Sequence, residues 1–579
     1  MGHGLPPARR PGGCGLAGRD RPTGIQPTGT DGRAGRRGRP GDPAWLATGG
    51  APATGGAPVT GPPAGSDSLT AARRAGDLEW LGAGPVVDVL VVGGGITGVG
   101  VALDAASRGL SVVLVEKHDL AFGTSRWSSK LVHGGLRYLA SGQVGIAYES
   151  AVERGILLTR TAPHLVAPLP ILLPILARVS AGQARQTRIG YLLGDLLRTA
   201  ARTPAATLPR SRRVGPAEAA TLVPAVRRDG LRGGLVGWDG QVVDDARLVV
   251  TVARTAAGHG ARIITRCAAE SIAGDGARLR DTLTGQPLDV RARVVINATG
   301  VWAGGLVPEI ALLPSRGTHL VLPGRLLDGL RAELLIPVPG ERNRYVFALP
   351  QPDGRVYVGL TDDPVAGPVP DVPEPTEGDV RFLLDTLNSV LDRPIDRSEV
   401  DGAFAGLRPL LAPPPGGTGE PASSADLSRR HAVLTSATGV ITVVGGKLTT
   451  YRRMAQDAVD AAVQSGRITA GPSRTSRLPL VGAASPATLA TVDAPRRLVA
   501  RYGTRAAEVL AAAGGDPALL APIVPGLDVT AAELRHAVLH ELALDAGDLL
   551  DRRTRIGLVA ADRAAAEPAA AAALASTVH

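Results

Sequence analysis

Glycines at a fixed spacing, followed by one acidic residue, form the clearest chemical signal in the sequence. Gly93, Gly95 and Gly98 give the pattern G-x-G-x-x-G directly after an apolar run at 86–92. The first glycine permits a tight turn, the second lets the backbone approach a pyrophosphate, and the third lets a helix pack closely on a strand. Glu116 ends a second apolar run and can accept hydrogen bonds from an adenosine ribose. The spacing predicts a dinucleotide site; it does not separate NAD from FAD, but the acid argues against NADP.

A long polar loop follows this pattern. Residues 122–139 are dense in glycine, serine and threonine and include His133, Arg137 and Tyr138. A loop of this length inside a compact domain is usually functional. Its N–H groups and hydroxyls can line a pyrophosphate and a flavin ring, so we predict that it borders the cofactor instead of forming an ordinary surface loop.

These residues need a β–α–β unit to position them. The pattern predicts a buried parallel strand at 86–92, a helix at 99–108 and a second strand at 111–115, so that the helix N-terminus faces the phosphates. Beyond about residue 478, alanine and leucine at helical spacing predict a terminal helical domain. Further strands are predicted at 262–265, 292–297, 344–349, 356–360 and 440–444, and further helices at 68–81 and 244–258.

Length, charge and aromatic content limit the classes of protein that fit the sequence. The 579 residues exceed a typical single domain, and 44% are hydrophobic, enough for a sizeable core. The formal net charge is +10, but residues 1–66 carry eight arginines and three aspartates, hence about half of the excess. This segment is rich in glycine and proline and is predicted to be a disordered tail. Aromatic residues make up 3%, which argues against stacking on single-stranded nucleic acid, and we predict no nucleic-acid partner.

Cysteine content and apolar runs indicate the compartment. Cys14 and Cys267 make a disulfide framework implausible and suit a reducing environment. No run supplies the roughly 18 apolar residues of a spanning helix, and the nearest, 165–177, contains three prolines. The N-terminal region has no apolar stretch typical of a secretory signal. We therefore expect a cytoplasmic protein.

From residue 66 into the C-terminal region, the sequence resembles the FAD-dependent glycerol-3-phosphate dehydrogenases. The segments 133–139 (HGGLRYL) and 445–452 (GGKLTTYR) distinguish this family from flavoproteins in general. Two positions depart from the family's pattern: Trp127 interrupts the serine-rich segment, and Val301 replaces a proline. The matching segments, in the family's order, are 88–98, 123–139, 162–165, 243–248, 297–300, 317–319, 359–362, 406–409 and 445–452.

The resemblance implies an α/β fold of the glycine and amino-acid oxidase type. A discontinuous Rossmann-like domain would bind FAD, an antiparallel-sheet domain would hold the substrate, and a helical domain would complete the C-terminal end. No metal site is expected. The implied bounds are 67–145, 240–310 and 405–460 for the FAD-binding domain, 146–239 and 311–404 for the substrate domain, and 475–579 for the helical domain.

The implied reaction oxidises sn-glycerol 3-phosphate to dihydroxyacetone phosphate by hydride transfer to FAD. The substrate phosphate is a dianion, and arginine forks suit it geometrically. Arg408 is the first phosphate ligand that the resemblance implies, followed by Arg137, Tyr138 and Lys447, one of three lysines in the chain. The residues implied for the cofactor are Gly93, Gly95, Gly98, Glu116, Thr124, Ser125, Ser129, Leu131, Gly300, Gly446, Lys447, Leu448 and Thr449.

Two histidines are candidates for accepting the hydroxyl proton. His319 and His133 both lie in matching motifs, and an imidazole suits proton abstraction near neutral pH. A histidine in a glycine-rich motif can also have a purely structural role, in which it hydrogen-bonds the backbone. Of the two histidines, we slightly favour His319 as the base. Arg408 completes the predicted catalytic set, whereas Asp244 and Asp362 are expected to be caps or turn residues.

The resemblance also implies a quinone-type electron acceptor at a membrane. Segments 165–177 and 189–197 are apolar and have arginines nearby, so they could rest on anionic lipid or, equally, form core. The expected partners are glycerol 3-phosphate and the membrane quinone pool, on the inner face of the plasma membrane, and a homodimer is left open. The alternatives are a glycerophosphate oxidase that uses oxygen, another FAD-dependent amine or alcohol oxidoreductase, and a catalytically silent flavin- or membrane-binding module.

Overall fold

The computed structural model describes residues 65–135, 143–177, 179, 181–341, 344–412 and 430–576. The predicted tail lies almost wholly outside these residues. The strands are β1 Val86–Val92, β2 Val112–Val115, β3 Leu131–Val132, β4 Val166–Pro174, β5 Arg212–Val214, β6 Gly234–Val242, β7 Arg262–Ile264, β8 Cys267–Ala273, β9 Gly276–Asp281, β10 Pro287–Asn297, β11 Leu312–Pro323, β12 Glu333–Pro337, β13 Tyr345–Pro350, β14 Arg355–Gly359, β15 Asp363–Pro364, β16 Gly402–Leu411, β17 Ala432–Thr435, β18 Ile441–Val444, β19 Pro522–Val524 and β20 Leu527–Thr530. The helices are α1 Ala71–Gly82, α2 Ile96–Ser107, α3 Val144–Ile156, α4 Ala181–Ala200, α5 Pro216–Leu222, α6 Asp245–Gly258, α7 Ala303–Leu306, α8 Glu377–Asn388, α9 Tyr451–Gln464, α10 Pro486–Ala490, α11 Arg496–Tyr502, α12 Ala506–Ala511, α13 Ala531–His540 and α14 Ala560–Ala575.

The first sheet contains the predicted β–α–β unit. Its strands follow the order β17-β18-β10-β1-β2-β7, and β10 also pairs with β9 of the β8–β9 hairpin. β1 runs parallel to both β10 and β2, and its consecutive residues Val89, Leu90 and Val91 are fully buried, as expected for a strand covered on both faces. The helices α2, α6 and α9 pack together on one face of this sheet. The predicted strand at 86–92 is confirmed, and the helix begins three residues earlier than predicted.

The second sheet is mainly antiparallel. Its strand order is β15-β11-β14-β13-β12-β4-β6-β3, with β16 beside β11 and β5 beside β6; β4 and β12 are a parallel pair. Two strands lie in this sheet although their sequence positions fall in segments expected for the FAD-binding domain. β3 pairs with β6 and β16 pairs with β11 along ten residues. A strand-forming pattern shows that a strand forms, but its hydrogen-bonding partner depends on the rest of the fold.

The two apolar segments considered for lipid contact differ in burial. β4 occupies most of 165–177, is paired on both sides by β6 and β12, and buries Leu172 and Leu173 completely. The segment 189–197 lies in α4 and exposes four apolar side chains. Core packing therefore accounts for the first segment, and only the second presents an apolar surface.

The C-terminal helices contact the first residues of the described chain. The N–H of Leu69 donates to the carbonyl of His540 at 3.0 Å, and the N–H of Leu542 donates back to Leu69 at 2.8 Å. Thr70 caps α1, and the predicted cap Asp244 accepts from two N–H groups at the start of α6. The helices α10 to α14 confirm the predicted helical character of this region, which also contains the short β19–β20 hairpin.

Candidate active site

The glycine motif forms the turn between β1 and α2. Gly93 has a left-handed φ of +113°, and a Cβ there would lie 2.6 Å from the carbonyl oxygen of Ala298. A Cβ on Gly98 would overlap the carbonyl oxygen of Gly93, so α2 can pack this close to β1 only with glycine at that position. The N-terminus of α2, at Gly95, therefore lies at the edge of the sheet where a pyrophosphate would be bound.

Glu116 lies beside this turn. Its Oε2 accepts from the N–H of Gly94 at 2.6 Å, and its Oε1 accepts from the N–H of His118 at 2.8 Å. A carboxylate oxygen can accept more than one hydrogen bond, so both oxygens keep the capacity to accept from a ribose hydroxyl.

The segment after the first sheet joins it to the second, and we name residues 124–130 the bridging loop. Ser125 Oγ accepts from the N–H of Ile96, the first residue of α2, at 2.9 Å. Thr124 Oγ1 donates to the carbonyl of Leu407 in β16 at 2.7 Å. Two neighbouring hydroxyls thus tie the cofactor-side helix to the second sheet.

Trp127, one of the two departures from the family's pattern, fills a gap between the bridging loop and β16. A Cβ on Gly406 would lie 2.6 Å from the Cβ of Trp127, and the indole stacks on Phe404 at 5.6 Å between ring centroids. The other departure, Val301, is buried in the short turn that follows β10. The fold therefore accommodates both departures in buried or packed positions.

One face of the second sheet carries two of the three predicted catalytic residues, His319 and Arg408. Alternate side chains of a strand point to the same face, so Ser315 shares a face of β11 with His319, and Phe404 shares a face of β16 with Arg408. The register pairs Ser315 with Arg408 and His319 with Phe404. The imidazole and the guanidinium therefore lie on adjacent strands of one surface.

His319 is held as a neutral imidazole. It is 1% exposed, its Nε2 lies 2.9 Å from Ser129 Oγ, and its ring stacks on Phe404 at 4.8 Å. Burial, followed by the positive charges of Lys130 and Arg408, lowers the pKa of His319 to about 3. Nδ1 is buried as well and has no hydrogen-bond partner among the described residues.

Arg408 is oriented by neighbouring oxygens. Nη1 donates to Ser315 Oγ at 3.2 Å and to Asp362 Oδ1 at 3.1 Å, and Nη2 donates to the carbonyl of Thr361 at 3.0 Å. A Cβ on Gly317 would overlap Nη2 of Arg408, so glycine leaves room for the guanidinium. Asp362 thus acts as a structural partner, and the partly exposed guanidinium can face a ligand.

His133 lies in a different setting, beside a buried carboxylate. Its Nδ1 is 3.1 Å from Asp239 Oδ2, and Asp239 Oδ1 accepts from the N–H of Gly134 at 2.8 Å and from Arg154 Nη1 at 2.6 Å. The His133 side chain is 48% exposed. Burial alone would raise the pKa of Asp239, but Arg154 and His133 outweigh it and hold that pKa below its ordinary value. The motif that identified His133 gives no signal for Asp239, whose strand is distant in sequence.

Lys447 lies on the same side of the site as His133. Its Nζ donates to Ser150 Oγ, on α3, at 2.9 Å. Gly135 packs against the backbone of α3, where a Cβ would come within 2.7 Å of Ala147. The turn after Lys447, Leu448–Thr450, packs against β3. The helix α3 therefore holds Lys447 beside the glycines that follow His133.

Lys130 was not among the predicted site residues, yet it is fully enclosed in the bridging loop. Its Nζ donates to the carbonyls of Arg126 and Ser128 at 3.1 and 3.0 Å and to Asp245 Oδ2 at 2.9 Å. Burial, opposed by Asp245, lowers the pKa of Lys130 to about 8. The scarcity of lysine that singled out Lys447 applies equally to Lys130 and could have identified it.

The structure gathers the predicted residues into three groups. Leu131 lies in β3 and Gly300 opens a short helical turn with φ +61°, whereas Arg137 and Tyr138 lie outside the described residues. The groups are Gly93, Gly95, Gly98, Glu116 and Ser125 at the glycine turn, Ser129, His319 and Arg408 on the second sheet, and His133, Gly446, Lys447, Leu448 and Thr449 near α3.

This arrangement fits a flavin dinucleotide. Gly445 and Gly446 both have φ +74°, a conformation in which main-chain N–H groups can approach a ligand closely. A Cβ on Gly95 would lie 3.1 Å from Ser125 Oγ, so the glycine keeps the approach to α2 open. A carboxylate that could bind adenosine, a helix N-terminus and a hydroxyl-lined loop lie next to one another at this turn, as an FAD site requires.

Comparison with known proteins decides the family. A model described as FAD dependent oxidoreductase matches residues 88–452, and one described as the C-terminal domain of alpha-glycerophosphate oxidase matches residues 473–579. Glycerol-3-phosphate dehydrogenase 1 of Mycobacterium tuberculosis is 56% identical over 501 residues, covering 86% of this chain and 96% of that relative. The chain belongs to the FAD-dependent glycerol-3-phosphate dehydrogenases.

More distant relatives extend this result to the fold. The mitochondrial glycerol-3-phosphate dehydrogenase of Mus musculus is 35% identical over 517 residues, covering 82% of this chain and 68% of the relative. The X-ray structure of the glycerol-3-phosphate dehydrogenase from Bacillus halodurans, complexed with FAD, superposes with a TM-score of 0.67 at 27% identity, covering 89% of this chain and 95% of that one. The predicted fold class and the FAD cofactor of this dehydrogenase are confirmed.

Proposed function

We propose that this dehydrogenase oxidises sn-glycerol 3-phosphate at C2 to dihydroxyacetone phosphate and passes the electrons to a quinone-type acceptor. The observation that carries the substrate assignment is the shared face of β11 and β16, where a neutral imidazole, His319, and an oriented guanidinium, Arg408, occupy adjacent strands. FAD, when bound, supplies the hydride acceptor. The residues of the chain bind the phosphate, orient C2 and accept the hydroxyl proton.

Arg408 is the proposed ligand of the substrate phosphate. Asp362 and Ser315 fix one nitrogen of its guanidinium, so little side-chain entropy is lost when a phosphate binds. Lys447 and Arg137 are the further cations proposed for this dianion. A fixed phosphate also fixes the distance of C2 from His319, which is the main contribution that positioning makes to rate.

His319 is the proposed acceptor of the C2 hydroxyl proton. It is neutral in the free protein, and the cations Lys130 and Arg408 contribute to lowering its pKa. A phosphate dianion at Arg408 offsets part of this positive charge, so the basicity of the imidazole rises when substrate is bound. Proton acceptance is thereby coupled to the presence of the correct ligand.

The substrate assignment is tested by anaerobic reduction of the purified, FAD-loaded protein. We expect the oxidised flavin absorption band to bleach on addition of glycerol 3-phosphate, and glycerol at the same concentration to bleach it at least a hundredfold more slowly. Equal rates with both compounds would remove the role of the phosphate. An unbleached flavin in the presence of glycerol 3-phosphate would refute the assignment.

An exposed apolar face on α4 supports a membrane-borne acceptor. The side chains of Ile189, Leu192, Leu193 and Leu196 are 48%, 51%, 39% and 66% exposed, and their spacing places them on one side of the helix. The exposed Arg185 and Arg188 border this face, as suits an anionic lipid surface. Within the described ranges, the helices lack the combination of length and hydropathy needed to cross a bilayer.

The acceptor is tested with vesicles containing anionic lipid and a quinone. We expect wild-type protein to float with the vesicles and to reduce the quinone, and a Leu192→Asp/Leu196→Asp variant to lose at least nine-tenths of both while its flavin is still reduced by substrate. Leu283→Asp, at a residue that is 57% exposed in the turn between β9 and β10, is the matched control. Stoichiometric peroxide in the presence of quinone would instead identify a glycerophosphate oxidase.

A further inference from the structure

Three arginines connect the C-terminal helical domain to the bridging loop and to Asp119, which precedes the loop. Arg552 Nε donates to Asp119 Oδ2 at 2.6 Å, and Arg553 donates to both carboxylate oxygens of Asp119, at 2.8 and 2.9 Å. Arg555 Nη2 donates to the carbonyl oxygen of Arg126 at 2.6 Å. All three arginines are buried. Because Asp119 precedes the loop and Arg126 lies within it, a short stretch between α13 and α14 holds the loop at two points.

The carbonyl oxygen of Arg126 accepts from two buried cations. Arg555 is 2.6 Å away, and Lys130 Nζ is 3.1 Å away. Arg555 and Lys130 both have left-handed backbone, with φ +64° and +59°, a conformation that costs about 1 kcal/mol or more for residues other than glycine. Such backbone persists where surrounding contacts over-determine it, and it clusters at ligand sites. The position of this carbonyl is therefore fixed from both sides.

The contacts beyond this carbonyl reach the catalytic face. Ser129, within the same loop, hydrogen-bonds His319. Lys130 Nζ also bonds Asp245 at 2.9 Å and lies 5.1 Å from the ring centroid of Phe404, on which His319 stacks. A displacement of the Arg126 carbonyl would therefore move the two residues on which the imidazole depends.

Positive charge exceeds negative charge among the side chains of Arg126, Lys130, Arg555 and Asp245. Arg126, Lys130 and Arg555 are each at most 5% exposed, and Asp245 is the carboxylate that bonds to them directly among the described residues. Burial and then the charges of Arg552 and Arg555 lower the pKa of Arg126 to about 9. Solvent screens a buried charge weakly, so this excess favours any added negative charge nearby. Reduction of a flavin adds negative charge to its ring.

We propose that Arg555 is a positioning residue of the flavin site, which holds the carbonyl of Arg126 so that Ser129 and Lys130 support His319, and which contributes buried positive charge that favours the reduced flavin. This inference rests on the function proposed for Ser129 and His319. It makes the C-terminal domain a part of the active site, because Arg555 of that domain bonds the bridging loop directly.

The test compares Arg555→Met with wild type in the full-length, FAD-loaded protein. The midpoint potential of the flavin, measured by anaerobic equilibration with a reference dye, is expected to fall by about 30 mV or more, equivalent to a tenfold shift for a two-electron couple. The limiting rate of flavin reduction by glycerol 3-phosphate is expected to fall about tenfold with little change in KM. Arg555→Lys, which keeps the charge but not the planar fork, is expected to restore the potential and not the rate.

Arg497→Met is the matched control. Arg497 binds both oxygens of Glu533 inside the C-terminal domain, so its loss should lower the melting temperature of the apoprotein while leaving the potential and rate unchanged. A wild-type potential and rate in Arg555→Met, or equal losses in Arg497→Met, would overturn the proposal. If Arg555→Met does not retain FAD, the rate of flavin reduction in Arg555→Lys decides the proposal. A wild-type rate in that variant would overturn it. If wild-type flavin is not reduced by glycerol 3-phosphate, the proposed substrate fails, but the comparison of potentials still decides the role of Arg555.

Discussion

His319 and His133 both come from glycine-rich motifs, but the protein surrounds them in opposite ways. His319 is enclosed by an aromatic ring and a hydroxyl, with two cations near enough to disfavour a positive charge on it. His133 is half-exposed and bonds to Asp239, a buried carboxylate that also binds Arg154. The same residue type thus lies near cations in one region and beside a carboxylate in the other.

The two sites therefore differ in the source of the negative charge beside the imidazole. At His133, the carboxylate that contacts the imidazole is a permanent part of the protein. At His319, the negative charge that would stabilise a protonated imidazole has to arrive with the substrate phosphate at Arg408. A base of the second kind is activated by its ligand, and mutations at the two histidines are therefore expected to have unequal effects.

The largest effect is expected from removing each imidazole in turn. His319→Asn should lower the anaerobic rate of flavin reduction at least a hundredfold, because a positioned general base contributes about 10²–10⁴-fold. His133→Asn should lower it less than tenfold. The rates are measured by stopped-flow absorbance with saturating glycerol 3-phosphate. The reverse order of effects would transfer the role of base to His133.

Removing the phosphate ligand should have the next largest effect. Arg408→Met is expected to raise KM for glycerol 3-phosphate about 10- to 100-fold, since a hydrogen-bonded charge pair contributes roughly 1.5–3 kcal/mol. Arg397→Met, at an exposed guanidinium paired with Glu377, should leave KM unchanged. An unaltered KM in Arg408→Met would show that the phosphate binds elsewhere, for example near Lys447.

A smaller effect is expected from one added methyl group. Gly317→Ala places a Cβ against Nη2 of Arg408, which must shift its guanidinium, and KM should rise about three- to tenfold with the flavin spectrum unchanged. Gly305→Ala adds its methyl group where no atom lies within 4 Å and serves as the control. If KM stays constant in Gly317→Ala, the present position of the guanidinium is not the one used for binding.

The smallest expected effect is an absence of pH dependence. The neutral form of His319 is the competent base, and its pKa of about 3 in the free protein keeps that form dominant from pH 5 to 8. The ratio of kcat/KM between wild type and His319→Asn, in which titration of the substrate cancels, should therefore be constant within twofold over this range. A ratio that falls below about pH 6.5, the ordinary pKa of imidazole, would contradict the assignment.

Local patterns predicted the parts of the fold that depend on local interactions. The β1–α2–β2 unit follows from a branched apolar run, three glycines and a second apolar run, each of which acts within a few residues. The partners of β3 and β16 could not be predicted, because strand pairing across the chain depends on which edges the rest of the fold leaves available. Those two pairings place the bridging loop and Arg408 on the second sheet.

The same distinction applies to the site. His319, His133 and Arg408 stand in motifs that the sequence displays, although their roles remain predictions. Asp239 and Asp245 come from positions more than 100 residues away from the side chains they hold, and Arg555 stands in a helical region without a motif. A partner that acts across the fold leaves no local pattern, because only the folded chain brings the two residues together.

The hydrogen bonds between Leu69 and the end of α13 also have a consequence for synthesis of the chain. A ribosome adds about 5–20 residues per second, so tens of seconds separate the appearance of Leu69 from that of its partners. During this interval, the start of α1 lacks the backbone contacts that later hold it. The start of α1 is therefore completed by residues that are made much later, and this part of the fold cannot form before the end of α13 has been synthesised.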